Sequence, residues 1–198
     1  MTPPPGAFGR YRILDPRPVD GARRLWAAQD PLLGRDVLVK ALHRHSEPEE
    51  RVERFREEIR LHASTSHPAL VPLLDAGEDG EWIWLVMERL AGRTLRAEIA
   101  GRSRLPVARG LRVLAGVLEP LAALHARGVV HRDVKPENVQ LVPALLEPEG
   151  RPVLLDLGIA KDRSEAGRTI TRHGSGALGS EHYTAPAVHP DPRRASFA

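Results

Sequence analysis

The stretch His131-Arg132-Asp133-Val134-Lys135-Pro136-Glu137-Asn138 carries the side chains best suited to chemistry. Asp133 supplies a carboxylate that can accept a proton from an attacking hydroxyl. Lys135, two positions on, supplies an ammonium that can neutralise a transferring phosphate, and Asn138, five positions on, an amide oxygen that can ligate Mg²⁺. A second carboxylate, Asp156, closes a short apolar run and is followed by Leu157-Gly158. Glycine there frees the backbone to turn the acid toward phosphates, which suits a metal ligand, although such a triplet alone is usually a turn.

These groups need elements to position them. Leu111, Leu114, Val117, Leu118, Leu121 and Leu124 recur along one broad face, which predicts an amphipathic helix over 105–127 ended by Gly128 and leading into the reactive stretch. Behind that stretch, residues 139–142 and 152–155 read as short strands, with a loop at Glu147-Pro148-Glu149-Gly150. Towards the start, residues 11–42 alternate apolar runs with turn signals and predict three antiparallel strands, the third containing Lys40. Residues 47–64 place Val52, Phe55, Ile59 and Leu61 near helical spacing among charges that include Glu58. Two further strands, over 70–76 and 82–88, are joined by the Asp79-Gly80 hairpin signal. Pro3-Pro4-Pro5-Gly6 makes residues 1–10 an extended, mobile leader.

Composition narrows the setting. With 198 residues, 41% of them hydrophobic, the chain can build one sizeable core or two small lobes. It has no cysteine, which excludes disulfides and cysteine-based metal sites, and no apolar run of bilayer length, so a cytoplasmic protein with no membrane segment is the expectation. The net charge of +3 is spread without blocks and without interleaved aromatics, which argues against a nucleic-acid partner.

His131, Arg132, Asp133, Lys135, Pro136 and Asn138 resemble the catalytic loop of the protein kinases, and Lys135-Pro136-Glu137-Asn138 resembles the bacterial serine/threonine kinases of the eukaryotic-like type. The resemblance runs from about Tyr11 to Pro186. It implies an α+β, two-lobed fold: a five-stranded antiparallel N-lobe sheet with one helix over 11–88, an incomplete helical C-lobe over 89–186, and a disordered tail over 187–198. It implies ATP and Mg²⁺ between the lobes and a protein substrate. Asp133 becomes the base, Lys135 the phosphate-balancing cation, and Asn138 and Asp156 the metal ligands. Lys40 becomes the lysine that holds the phosphates, Glu58 its ion-pair partner, and Leu25, Leu38, Met87, Glu88, Leu90 and Gln140 the surroundings of the nucleotide. Taken singly, Lys40 and Glu58 read as solvated surface charges. Residues 159–184 resemble an activation loop, with Thr169 and Thr171 as phosphosites and Arg132 as the partner for a phosphate there.

The sequence also departs from that pattern. Pro18, Asp20 and Arg23 stand where the phosphate-covering loop would have glycines, leaving only Gly21 nearby. Leu38 stands where the roof over adenine is a small alanine, and Gln140 is a polar floor whose amide would want partners. The C-lobe is short, so the leucine-rich helix lacks cover unless a partner supplies it. Three readings stay open: a serine/threonine kinase, a pseudokinase or kinase fragment that binds a partner, and a small-molecule phosphotransferase. Arg132, Lys135-Pro136 and Ala185-Pro186 favour the protein kinase branch over the last.

Overall fold

The computed structural model describes residues 6–19, 24–101, 104–145 and 147–157. They divide into two compact units, Met1–Ser64 with Pro72–Arg89, and Thr65–Val71 with Leu90–Ala198. Thr65–Val71 therefore belongs with the second unit rather than with the predicted 11–88 lobe.

The first unit is an antiparallel sheet with one helix. Its strands are β1 (Ala7–Phe8), β2 (Tyr11–Ile13), β3 (Leu25–Asp30), β4 (Arg35–His43), β5 (Leu73–Asp79) and β6 (Trp82–Glu88), in the order β1-β2-β3-β4-β6-β5. The helix α1 (Glu49–Ser64) follows β4. β4 alternates as a two-faced strand must: Val37, Val39 and Ala41 are fully or almost fully buried, while Leu38 and Lys40 face the other way. One face carries an aromatic core of Phe8, Tyr11, Trp26, Trp82 and Trp84 with Ala28, Val37, Val39, Ala41 and Val86. Its rings meet mostly edge to face, Phe8 at 5.5 Å from Trp82, Trp26 at 6.2 Å from Trp82 and Tyr11 at 6.0 Å from Trp84. Gly77 is required beneath it, because a Cβ there would lie 2.4 Å from the Trp84 ring.

That core overturns part of the expected mobile leader. Phe8 is fully buried among the tryptophans, and its strand pairs with β2 through Phe8 and Tyr11, which makes the sheet six-stranded rather than five-stranded. Arg10 extends the anchorage by reaching the buried Asp30 and also Asp75, while the Tyr11 hydroxyl donates to Asp75 at 2.8 Å. The β5–β6 hairpin turns where the Asp79-Gly80 signal placed it, but β5 starts three residues later than expected.

The second unit pairs β7 (Arg93–Thr94), β8 (Val139–Ala144) and β9 (Glu147–Leu154) in one sheet, with α2 (Leu95–Ala100) and α3 (Val107–His125). β9 takes in Glu147 to Gly150, where the sequence predicts a loop. α2, which the sequence pattern does not predict, begins at Thr94, whose hydroxyl accepts from the Ala97 N–H and caps the helix. α3 starts and stops two residues inside its expected bounds, and the chain reverses at Gly128 in the left-handed region at φ 74°.

The aliphatic core here is Leu70, Val113, Val117, Leu124, Val139, Leu141, Leu154 and Leu157. The backbone of 69–71 is bonded on both sides of Leu154, which holds the short 65–71 segment to β9. α3 approaches β9 so closely that a Cβ at Gly116 would lie 2.4 Å from the Pro152 ring. Its face is not the one expected: Val113, Val117, Pro120 and Leu124 are buried, whereas Leu111, Leu114 and Leu118 are exposed, together with Val107. Buried Glu98 of α2 joins Arg109 of α3 at 2.5 Å and Arg93 of β7 at 2.7 Å, tying three elements through one carboxylate.

Candidate functional site

In the first unit, registry decides which side chains share a face. Leu25 pairs with Lys40 across β3 and β4, and Ala27 with Leu38. Lys40 pairs with Leu85 across β4 and β6, and Leu38 with Met87. Because strand side chains alternate, Leu25, Leu38, Lys40, Leu85 and Met87 all lie on the face opposite the aromatic core. Glu88, one residue beyond Met87, falls on the other side by the same alternation and is exposed; its amide N–H bonds to the Pro72 carbonyl at 3.1 Å. The structure thus unites Leu25, Leu38, Lys40 and Met87, and leaves the Glu88 side chain out.

Lys40 meets Glu58 of α1 on that face, its Nζ 2.5 Å from Glu58 Oε1. The Glu58 side chain is 1% exposed and that of Lys40 16%, so neither is the solvated surface charge each resembles alone. α1 buries Val52, Phe55, Glu58 and His62, where the sequence pattern pointed to Ile59 and Leu61. A charge in this position costs several kcal/mol to desolvate, and its partner offsets that cost only while both are present. The Lys40 ammonium also lies 6.0 Å from the Phe55 ring centroid.

In the second unit, residues 129–135 form no regular element, and local contacts hold them instead. Arg132 has φ 64°, which no other non-glycine among the described residues approaches in sign. A side chain held in that region marks a backbone that its surroundings over-determine. Buried His131 accepts the Asp133 N–H on Nδ1 at 3.3 Å, which fixes the turn from below. Asp133 is 4% exposed, and its Oδ2 lies 3.0 Å from Lys135 Nζ and 2.8 Å from Asn138 Nδ2. Asn138 donates a second bond from Nδ2 to the Asp133 carbonyl at 2.9 Å. A 3-10 turn, Pro136–Asn138, brings the amide back to the carboxylate, with proline at its first position, where no N–H is needed.

The β8–β9 hairpin places the Asp156 backbone beside Asn138, at the same end of the sheet. Leu155 N–H bonds to the Asn138 carbonyl at 2.9 Å, and Val139 pairs with Leu154, so Asp156 follows β9 at the end where Asn138 precedes β8. The donor set fits Mg²⁺. Both described bonds of Asn138 use Nδ2 and leave Oδ1, a hard oxygen, while half-buried Asp156 adds a carboxylate. No group of three or more His, Cys, Asp or Glu side chains placed to hold a metal ion occurs among the described residues, so those residues offer no closed cage. Mg²⁺ suits that arrangement because it takes few protein oxygens and completes its shell with water and phosphate.

Gln140 lies on β8, two residues past Asn138, and is 9% exposed. Its Nε2 faces the carbonyls of Leu90 at 3.4 Å and Ala91 at 3.3 Å. The floor amide therefore has partners, contrary to the expectation that it would want for them. Gly158, Thr169, Thr171, Gly179-Ser180, Ala185-Pro186 and the tail over 187–198 lie outside the described residues, as do Asp20, Gly21 and Arg23. The Glu98–Arg109 pair and the orientation of Gln140 had no sequence signal, since both depend on contacts between distant segments.

Residues 29–194 match the protein kinase domain family. The chain belongs to that family. It is 38% identical over 184 residues to a probable serine/threonine-protein kinase pknA2 of Bifidobacterium longum, an alignment that covers 91% of this chain and 23% of that protein. It is 36% identical over 180 residues to serine/threonine-protein kinase pkn2 of Myxococcus xanthus, covering 90% and 21%. With serine/threonine-protein kinase PrkC of Bacillus subtilis it shares 34% identity over 179 residues, covering 90% and 26%. The chain thus spans about a quarter or less of the length of these relatives. No helix among the described residues is long and apolar enough to cross a membrane.

Proposed function

We propose that this kinase-family chain transfers the γ-phosphoryl group of ATP to serine or threonine hydroxyls of a protein substrate. The observation that carries the reading is the Asp133 carboxylate, held through one oxygen by Lys135 and Asn138. Asp133 takes the proton of the substrate hydroxyl as its oxygen forms the new bond to phosphorus. The bond from the γ-phosphorus to the β,γ-bridging oxygen breaks, and ADP leaves. Lys135 balances charge on the transferring group. Lys40, kept in place by Glu58, does the same for the phosphates of the bound nucleotide. Asn138 and Asp156 are the residues that would hold Mg²⁺, which when bound neutralises phosphate charge. Leu25, Leu38 and Met87 supply the apolar surface for adenine, and Glu88 and Leu90 contribute backbone rather than side-chain contacts. Dependence on ATP goes with a cytoplasmic location. Thr169 and Thr171 are the proposed phosphosites, with Arg132 as the partner of the modified group.

A second reading has its own observation. Val107, Leu111, Leu114 and Leu118 recur on one exposed stripe of α3 and suit a protein partner, as a catalytically impaired kinase-like module would need. Bulky Leu38 at the roof and the departures at Pro18, Asp20 and Arg23 point the same way. The test is phosphate incorporation into a mixture of protein substrates and into sugar or aminoglycoside acceptors, with Asp133→Asn alongside. Label on protein serine and threonine that depends on Asp133 supports the kinase. Absence of label, together with a protein complex that survives Asp133→Ala, supports the binding module.

A further inference from the structure

Residues 90–94 open the second unit's main segment, and three independent contacts fasten them to the strand that follows the reactive loop. Gln140 donates its amide to the carbonyls of Leu90 and Ala91. Gly92, at φ 98°, lets the backbone come so near β8 that a Cβ would lie 2.0 Å from the Leu141 carbonyl oxygen. Arg93 and Thr94 then pair with Leu141 and Gln140 as β7. On the other side, Arg93 is anchored to buried Glu98, and Thr94 caps α2. With two carbonyl partners, the Gln140 carboxamide has only one productive orientation, nitrogen toward the 90–91 backbone.

We infer that Gln140 is a positioning residue for the nucleotide site: it acts through the backbone of Leu90 and Ala91, clamping residues 90–94 onto β8. The claim rests on the proposed use of Leu90 in binding ATP and deepens it. An apolar side chain of the same reach would present an equivalent floor but would release both carbonyls. The clamp also links the nucleotide-binding segment to the catalytic loop, because β8 begins at the residue after Asn138.

The test uses the full chain with Gln140→Met, which keeps the length and removes the donor, and Gln140→Glu, which sets a carboxylate against two carbonyls. Amide hydrogen exchange is read without nucleotide. Exchange across residues 91–94 should quicken about three- to tenfold in Gln140→Met, and more in Gln140→Glu, while the β8–β9 pairing keeps its protection. The KM for Mg²⁺-ATP should rise about three- to tenfold in Gln140→Met with kcat within about twofold. Unchanged exchange overturns the clamp, even if KM rises, because Gln140 would then touch the nucleotide directly. Equal or tighter ATP binding in Gln140→Met overturns it as well. Should the unmodified chain transfer no phosphate, the kinase reading fails, while the exchange result still decides whether Gln140 holds this segment.

Discussion

The two clusters that carry this protein's chemistry are built by opposite means. Lys40 and Glu58 are 18 positions apart, each on a regular element, and they meet because a strand register and a helix face bring them together. The Asp133 cluster lies within eight consecutive residues, an irregular stretch closed by one 3-10 turn, with a left-handed Arg132 and side chains that bond back to their own loop. A pair set by regular elements inherits the rigidity of the sheet. A loop cluster buries its charges as fully, the Asp133 and Lys135 side chains being 2% and 17% exposed, but it depends on a few short contacts and one disfavoured dihedral. Substitutions in the first cluster should therefore cost stability as well as activity, and those in the second mainly activity.

The largest stability effect should come from Glu58→Ala. Leaving Lys40 in a pocket that is largely shut from water should cost about 3–5 kcal/mol in urea unfolding, whereas Lys40→Met with Glu58→Leu together should recover much of it. A small loss in the single variant would mean that the pair is solvated after all, and the contrast between the clusters would collapse.

Next comes the helix that leads to the loop. Leu124→Ala, at a fully buried position, should cost about 2–5 kcal/mol, and Leu118→Ala, on the exposed stripe, less than about 0.5. Equal costs would show that the stripe is covered in solution.

Asn138→Ala should lower phosphoryl transfer about a hundredfold while costing about 1–3 kcal/mol of unfolding free energy, less than Glu58→Ala, because it removes two bonds to Asp133. The reverse result, a larger stability loss with transfer retained, would make the loop cluster a structural device alone.

The smallest effect concerns Tyr11. Burial, followed by its bond to Asp75, pushes the Tyr11 hydroxyl from 10.0 up to about 12. A raised folded value means that the neutral form is favoured in the fold. The contribution is complete below pH 10 and is lost as the pH rises from there through about 12. Tyr11→Phe should therefore be about 1 kcal/mol less stable than the parent near pH 8, with the gap closing above pH 10. A gap independent of pH would contradict the buried hydrogen bond.

Much of this architecture is legible in the sequence, and the reason is period. β4, β6, α1 and α3 have long apolar repeats, and the reactive loop is contiguous, so Asp133, Lys135 and Asn138 needed no fold to be found. What was missed depends on residues far away. Phe8 looked like part of a proline-rich leader because its burial comes from Trp26 and Trp82, which no local pattern reveals. On α3 the leucines were read as one inward face, but the sheet and residue 70 cover only the side that carries Val113, Val117 and Leu124. Glu58 and His62 occupy buried positions on α1 that a hydrophobicity pattern assigns to Ile59 and Leu61. Gln140 reads as an unsatisfied floor from sequence, since nothing there announces that two backbone carbonyls would meet it.

The most direct test of the central claim is single-turnover phosphate transfer from Mg²⁺-ATP by the full chain, compared with Asp133→Asn and matched for folding by urea unfolding. Label on protein serine or threonine is expected, with a fall of about 10²- to 10⁴-fold in the variant and stability preserved. Equal rates in the two proteins, or label only on a small-molecule hydroxyl, would contradict that claim.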